Sequence, residues 1–308
     1  MEVKRPVITV VGSYAVGMTM KTKRFPICGE TLLGKDFAAL HGGKGSNQAI
    51  EAARLGAEVN FIGCVGKDSF GDSAVELFKE EGINCSCVKR SKDYSTGVGF
   101  IIVDDSGHNI IVIDFGANND IDRKDIDKAE DAIAKSDILL VQLEICMEAV
   151  EYAIEVAKRH GVKVVLNPAP FQPLSDKLLS LIDIITPNET EARLLLGMEP
   201  DEKVSEIEIG NKLLAKGVKT AIITLGSKGA LIVTKEYNET VPVKEVKVLD
   251  TTGAGDTFSS SLSVALAEGR NLRDAVEFAG AAASLSVMKY GVVPSLPYRE
   301  EVEKFLQE

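Results

Sequence analysis

The sequence predicts a layered α/β fold. Three observations carry that expectation: apolar runs of strand length recur along the chain, segments of helix length lie between most of them, and only two regions interrupt the alternation. Alternation of this kind builds parallel strands joined by right-handed helical crossovers.

The strand runs are VITVVG (7–12), VNFIGCVG (59–66), DILLVQLE (137–144), VKVVLNPAP (162–170), DIITPNE (183–189) and TAIITLG (220–226). Helix-length segments span 44–56, 70–82, 147–160 and 202–216. The interruptions are residues 13–36 and 97–114. In the second, GVGFIIVDDSGHNIIVID reads as two strands about the turn DDSGHN. These segments predict a small β-sheet that cannot sit inside the parallel sheet and serves as a lid over one edge; a plain surface hairpin is the alternative. After the strand material LIVTKEYNETVPVKEV the chain reads as helical from about 255 to 289 and from 298 to 306. No tandem repeat, low-complexity tract or linker divides the chain, so a single domain over 1–308 is expected, with a lid subdomain of about 13–36 and 97–114.

Composition narrows the function. Of 308 residues, 45% are hydrophobic and 26% charged, enough for a sizeable core and against disorder. With 46 acidic against 35 basic residues the net charge is −11, a field that repels a nucleic-acid partner while leaving room for local binding of a small anion. The N-terminal stretch MEVKRPVITVVGSY has too short an apolar run for a leader, and no run of about 18 apolar residues predicts a membrane span. The chain therefore reads as cytoplasmic. The five cysteines, Cys28, Cys64, Cys85, Cys87 and Cys146, include no CxxC pair, which suggests neither a disulfide framework nor zinc. Cys85 and Cys87 read as alternate residues of a strand, and buried or half-buried thiols are expected. His41, His108 and His160 are dispersed and form no metal triad.

Ligands of parallel α/β sheets bind beyond the carboxyl ends of the strands, which gives weight to motifs just after strands. LDTTGAGDTF (249–258) places Gly253, Ala254 and Gly255 before Asp256 at the start of an apolar helix. The backbone N–H groups and positive dipole end of that helix suit a phosphate or developing oxyanion, and small residues let the anion approach. Asp256 in the same turn can accept the proton of a substrate hydroxyl. A glycine-rich turn capped by Asp256 is an equal reading of the local chemistry. In HGGKGSNQAI (41–50), Gly42 and Gly43 fit a hinge or a surface for a sugar, Asn47 can bond hydroxyls and Lys44 can offset phosphate charge; a glycine-rich N-cap is the plainer reading. His41 borders the glycine pair. In TPNETEARLLLG, Asn188, Glu189 and Glu191 open a helix, where capping explains Glu191 locally. TLGSKG (224–229) can seat nucleotide phosphates or simply connect strands. Neither a P-loop GxxxxGK[ST] nor a GxGxxG after the first strand is present, which disfavours P-loop NTPases and dinucleotide dehydrogenases.

Taken together and in order, GGKGSNQA, STGVGFI, GANN, QLE, LNPAP, DIITPNETEA, ITLGSKG and DTTGAGDTF resemble the ribokinase, or PfkB, family of carbohydrate kinases, its ribokinases most closely, over nearly the whole chain. The resemblance implies a three-layer α/β/α core with a β-sheet lid, whose lids pair two subunits into a homodimer. It implies transfer of the γ-phosphoryl group of ATP, with Mg²⁺, to a primary sugar hydroxyl. By the same resemblance Asp256 is the catalytic base and Gly253, Ala254 and Gly255 form the anion hole; Gly42, Gly43, Lys44, Asn47, Glu144 and Asp256 bind the sugar. Asn188, Thr224, Gly226, Ser227, Gly229, Gly255 and Gly280 bind the nucleotide, and Glu191 organises Mg²⁺ through water. A K⁺ site is implied at Asp250, the carbonyls of Thr252, Ser286, Lys289 and Gly291, and the hydroxyl of Ser295; oxygen-only ligation suits that ion.

One departure bears on the acceptor. Where the family has Asn and Asp in GSxNxD, this chain reads GSYAVG, with Ala15 and Gly17 at those positions. Lost hydrogen-bond partners weaken selection for hydroxyls. A ketohexose, sugar acid, nucleoside or phosphosugar then competes with ribose as acceptor, with Tyr14 filling or stacking in the vacated space and Lys21, Lys23 and Arg24 nearby. A catalytically silent sugar or nucleotide sensor is the alternative outside enzymes; Gly253, Gly255 and Asp256 argue against it.

Overall fold

Each of the six apolar runs becomes a strand of one nine-stranded sheet. The computed structural model describes residues 5 to 308; residues 1 to 4, with which MEVKRPVITVVGSY begins, lie outside the described residues. In chain order the strands are β1 (Val7–Val11), β2 (Ala15–Lys21), β3 (Lys35–Gly42), β4 (Glu58–Gly66), β5 (Val88–Ser91), β6 (Gly97–Val103), β7 (Asn109–Asp114), β8 (Ile138–Val141), β9 (Lys163–Leu166), β10 (Ile184–Ile185), β11 (Thr220–Thr224), β12 (Ala230–Val233) and β13 (Asn238–Val241). The helices are α1 (Lys44–Arg54), α2 (Ser69–Glu80), α3 (Arg123–Lys128), α4 (Glu130–Ala134), α5 (Met147–Arg159), α6 (Asp176–Leu179), α7 (Glu189–Leu195), α8 (Glu206–Ala215), α9 (Ala254–Ala267), α10 (Leu272–Ser286), α11 (Val292–Ser295) and α12 (Arg299–Gln307).

The large sheet runs β13-β12-β11-β10-β9-β8-β1-β4-β5. It is parallel from β5 to β11, and β12 and β13 extend it antiparallel. Both faces are covered, as a parallel sheet requires. Ile8, Val10, Leu140 and Ile222 pack into the apolar layer with Ile50, Phe78, Leu262 and Phe278, while Val11, Leu139, Val141 and Ile223 pack on the opposite face with Ile154, Ile209 and Leu213. The sheet is therefore the middle of three layers. Its strand ends bring Gly12, Gln142, Asn167 and Asn188 to one edge.

Segments that interrupt the alternation form a separate four-stranded sheet, β3-β2-β6-β7. Its first part extends past residue 36: β3 continues to Gly42, because it pairs with β2 back to Ala15 and delivers the glycine pair to α1. Three other expectations are corrected. The helical stretch 255–289 is two helices, α9 and α10, since Gly269 takes a left-handed φ of 87° and the Asn271 side chain caps α10 by accepting from the Asp274 amide. The helix placed at 202–216 begins only at Glu206, where the Ser205 hydroxyl accepts from the Glu208 amide. Cys85 and Cys87 lie in the turn before β5 rather than on a strand, where Val88 N–H closes back on the Cys85 carbonyl.

Candidate active site

Asp256 sits in the first turn of α9, 4% exposed, beneath a helix start that Gly253 makes possible. Gly253 has φ 82°, and a Cβ there would come within 2.5 Å of Val292 Cγ1, so no other residue fits. Over Gly255, by contrast, a Cβ would meet nothing within 4 Å: the helix start opens onto free space. The first amides of a helix lack intrahelical acceptors and carry its positive end, so this bare turn is a cradle of the size and charge an oxyanion needs.

Two carboxamides of α1 hold the carboxylate. Asn47 Nδ2 donates to Asp256 Oδ2 at 2.9 Å and Gln48 Nε2 donates to Oδ1 at 3.0 Å. Asn47 Oδ1 is buried with no partner among the described residues, an acceptor left for a hydroxyl in the cleft. The Lys44 ammonium is kept protonated well into the alkaline range, chiefly by the charge of Asp256 and despite its burial, with Glu144 and Glu191 adding to the effect. Glu144 is fixed by Ser13 Oγ, which donates to its Oε2 at 2.6 Å, and by the Lys44 amide at 2.9 Å. Gly43, with φ 92°, caps α1 and presses on β2: a Cβ would lie 2.7 Å from Tyr14 Cα. Gly43 is thus the N-cap that the plainer reading of this segment expects.

Glu191 caps its helix, as the local reading expects. It forms a capping box, its Oε2 accepting from the Asn188 amide at 2.9 Å while Asn188 Oδ1 accepts from the Glu191 amide at 2.8 Å. Burial raises its pKa above the ordinary glutamate value, against the pull of the Asn188 hydrogen bond and the Lys44 charge, with Asp256 adding to the rise. Its carboxyl therefore belongs to the same electrostatic cluster as Lys44 and Asp256.

Beyond the helix start lies a cavity of about 360 Å³. Thr224, Gly226, Ser227 and Gly229 from the end of β11 line one side, Ala254, Gly255 and Phe258 the floor, and Gly280, Ser284 and Val287 the other side, with Val243 and Val246 across the mouth. Its walls are largely apolar, with the side chains of Thr224, Ser227, Lys244, Glu245, Thr251 and Ser284 adding polar groups around them. Asn188 joins this region through the bridge it makes with Thr224.

Near Gly253, Asp250 organises a loop of oxygens. Its Oδ1 accepts from the Thr252 amide at 2.9 Å and hydroxyl at 2.6 Å, and its Oδ2 from the Gly291 amide at 3.2 Å. Burial opposes its charge, but the Thr252 and Gly291 hydrogen bonds hold its pKa below the ordinary value. Leu249 and Asp250 amides both donate to the Val287 carbonyl, which draws Ser286, Lys289 and Gly291 alongside. Ser295 Oγ donates to the Val292 carbonyl at 2.7 Å. Both oxygens of Asp250 are thus held by donors of Thr252 and Gly291, and no cluster of three or more His, Cys, Asp or Glu occurs among the described residues.

The small sheet roofs the cleft. Ala15 pairs with Gly42 and Gly97, and Gly17 with Leu40 and Gly99, so these six share one face. Leu40 Cδ1 lies 3.5 Å from a Cβ built on Gly291, and Val292 touches Gly253, so this face overhangs the helix start. A Cβ on Gly17 would stop 3.8 Å from Ile101 and on Gly99 3.9 Å from Ile113, ordinary van der Waals contact: this face is small-residued and apolar. Tyr14 does not enter this space. It is fully buried on the other side, ring against Phe78 at 6.0 Å, with its hydroxyl 2.7 Å from His41 Nδ1. Burial raises the Tyr14 pKa and lowers that of His41. Lys21 pairs with Asp36, and Arg24 with Glu30, both at the sheet surface.

Sequence patterns left Gln48, Gln142, Asn167 and Ser13 without a role. Gln48 and Gln142 do lie inside the quoted segments GGKGSNQA and QLE; a polar side chain adjoining a motif yet flanked by apolar residues was the available signal.

The pfkB family carbohydrate kinase profile matches residues 6–299. The Haemophilus influenzae ribokinase is 44% identical over 303 residues, covering 98% of this chain and 99% of that protein. Among solved structures, Thermotoga maritima ribokinase superposes with a TM-score of 0.90 at 38% identity, covering 98% of this chain and all of that one. Arabidopsis thaliana ribokinase, complexed with ribose and ATP, superposes with a TM-score of 0.93 at 32% identity over 99% of this chain and 100% of that one. This chain belongs to the pfkB family of carbohydrate kinases.

Proposed function

We propose that this ATP-dependent sugar kinase uses Asp256 as the base that takes the proton of an acceptor's primary hydroxyl while the turn 253–255 holds the transferred phosphoryl group. The observation that carries this reading is the juxtaposition, in one turn of α9, of an open glycine cradle and a buried carboxylate whose two oxygens are both held by amides.

The acceptor oxygen attacks the γ-phosphorus, its proton passes to Asp256, and the bond from the γ-phosphorus to the β–γ bridging oxygen breaks with its electrons leaving on ADP. In a loose transition state the proton moves late, so an ionised aspartate suffices as base. Charge on the equatorial oxygens is met by the α9 amides and Lys44. Glu191 would hold Mg²⁺ through water, and that ion would supply further charge neutralisation. Asp250 would hold K⁺, which would stiffen the 250–254 loop from outside the reaction. The nucleotide lies along Thr224 to Gly229, in the cavity that Val243 and Gly280 also line.

On the acceptor side Asn47, Lys44, Glu144 and the Gly42–Gly43 backbone supply the polar floor. Ribose heads the acceptors to be tested, because the relatives named above are ribokinases. The face of Ala15, Gly17 and Gly99 offers no side-chain hydrogen bond to hydroxyls, so other acceptors are tested beside ribose. On the face opposite Gly17 and Gly99 the small sheet also exposes Phe100, Ile110 and Val112, an apolar surface that supports pairing of two copies of this chain.

The test is ADP release with ribose, other pentoses, ketohexoses, sugar acids and nucleosides, with products identified by mass spectrometry. Turnover of a sugar by the wild type and none by Asp256→Ala is the expected result; equal turnover by the two, or no phosphorylated product from any acceptor, overturns the proposal. Binding of sugar or nucleotide without turnover would instead favour a sensor.

A further inference from the structure

Behind Asp256 the amide network continues past every residue used above, and from its geometry we infer that Gln48, oriented by Gln142, is a positioning residue that fixes the carboxylate for attack. The inference rests on the reading of Asp256 as the base.

Gln48 is fully buried on α1. Its Nε2 donates to Asp256 Oδ1 at 3.0 Å and to Asn167 Oδ1 at 3.1 Å, and its Oε1 accepts from Gln142 Nε2 at 2.5 Å. The chemistry fixes every orientation in this chain. An ionised carboxylate only accepts, so Gln48 must turn its NH₂ toward Asp256, which leaves its oxygen facing Gln142 and requires the NH₂ of Gln142 there. Reversing Gln142 would set two carboxamide oxygens against each other. The cost of the observed arrangement is visible at the far end: Gln142 Oε1 is buried without a partner among the described residues, and a Cβ on Gly12 would lie 2.0 Å from it. An unpaired buried acceptor is destabilising, so this chain of amides is not there for stability alone.

Its mechanical effect follows from where the donors sit. Asn47 holds one oxygen of Asp256 and Gln48 the other, so the carboxylate cannot turn about its Cβ–Cγ bond, and a lone pair stays directed into the cleft. Gln142 and Asn167 follow β8 and β9 directly, so the base is referenced to the central sheet and not to α9 alone. A displacement of about 1 Å at a reacting group costs on the order of 100-fold in rate.

The experiment measures kcat and KM for both substrates in wild type, Asp256→Asn, Gln48→Leu, Gln142→Leu and the double variant Gln48→Leu/Gln142→Leu, with folding checked by thermal melts. Gln48→Leu is expected to lower kcat by about 10- to 100-fold with both KM values within about twofold. Because Gln142 acts through Gln48, the double variant should match Gln48→Leu alone instead of multiplying the two losses. If Gln48→Leu does not fold, Gln142→Leu carries the test through the same fall in kcat at constant KM. A folded Gln48→Leu with wild-type kcat, a loss confined to KM, or multiplicative losses would each overturn the inference. Asp256→Asn separates the levels: if it is inactive while Gln48→Leu turns over normally, only the positioning role fails; if it turns over normally, the base itself has been misread.

Discussion

Asn47 and Asp256, 209 positions apart in the chain, meet inside the fold with the amide of one on the carboxylate of the other at 2.9 Å. The contact joins the starts of α1 and α9, the elements that carry the acceptor floor and the phosphoryl cradle. Asp256→Asn keeps shape and removes the proton acceptor. Its kcat should fall by about 10²- to 10⁴-fold, while calorimetry still detects ATP binding.

The roof gives a prediction about selectivity. In the paired variant Ala15→Asn/Gly17→Asp, polar side chains would stand on the face that Ala15 and Gly17 share with Gly97 and Gly99. Selectivity for fully hydroxylated pentoses over bulkier acceptors, expressed as a ratio of kcat/KM, should rise by about tenfold or more. An unchanged ratio would show that this face does not meet the acceptor.

Glu51 gives a pH prediction. Its carboxyl is fully buried between α1 and α9; Ser261 Oγ donates to Oε1 at 3.1 Å, and Oε2 has no partner among the described residues. Burial raises its pKa well above the ordinary value, against the Ser261 bond and the Arg54 charge, with Glu301 and Glu81 adding to the rise. Above pH of about 4.3 the unfolded chain has released this proton while the folded chain keeps it, so the folded state binds more protons and stability falls as pH rises. Glu51→Gln removes that penalty. It should melt about 2 °C or more above wild type at pH 7.5, with the difference vanishing near pH 4.

Pairing through the small sheet is tested by Phe100→Lys/Val112→Lys. The two are cross-strand partners on the face opposite Gly17 and Gly99, and both are more than half exposed. Light scattering should report two chains per particle for wild type and one for the variant, with folding unchanged.

Cation dependence is tested at Asp250. Replacing K⁺ by tetramethylammonium, which is too large for an oxygen cage, should lower wild-type kcat severalfold. Asp250→Ala, lacking the one charged ligand, should be slow in either salt.

Much of this protein was determined by sequence alone, because the signals were local. Strand runs alternate with helical segments, so the layered fold was legible; GAGD needs only adjacent residues to make an open turn with a carboxylate in it, and Asn188 with Glu191 caps a helix by its own spacing. Other features rested on contacts between segments far apart in the chain. Gln48, Gln142 and Asn167 acquire their roles only when the ends of β8 and β9 arrive beside α1. Tyr14 was expected in the acceptor space, yet β2 turns it to the opposite face against Phe78 and His41, because strand register, not residue type, decides which side a side chain takes. The division between α9 and α10 was missed because both segments are apolar, and only the left-handed Gly269 with the Asn271 cap breaks them. Periodicity and glycine are written along the chain; hydrogen-bond partners across it are fixed by packing.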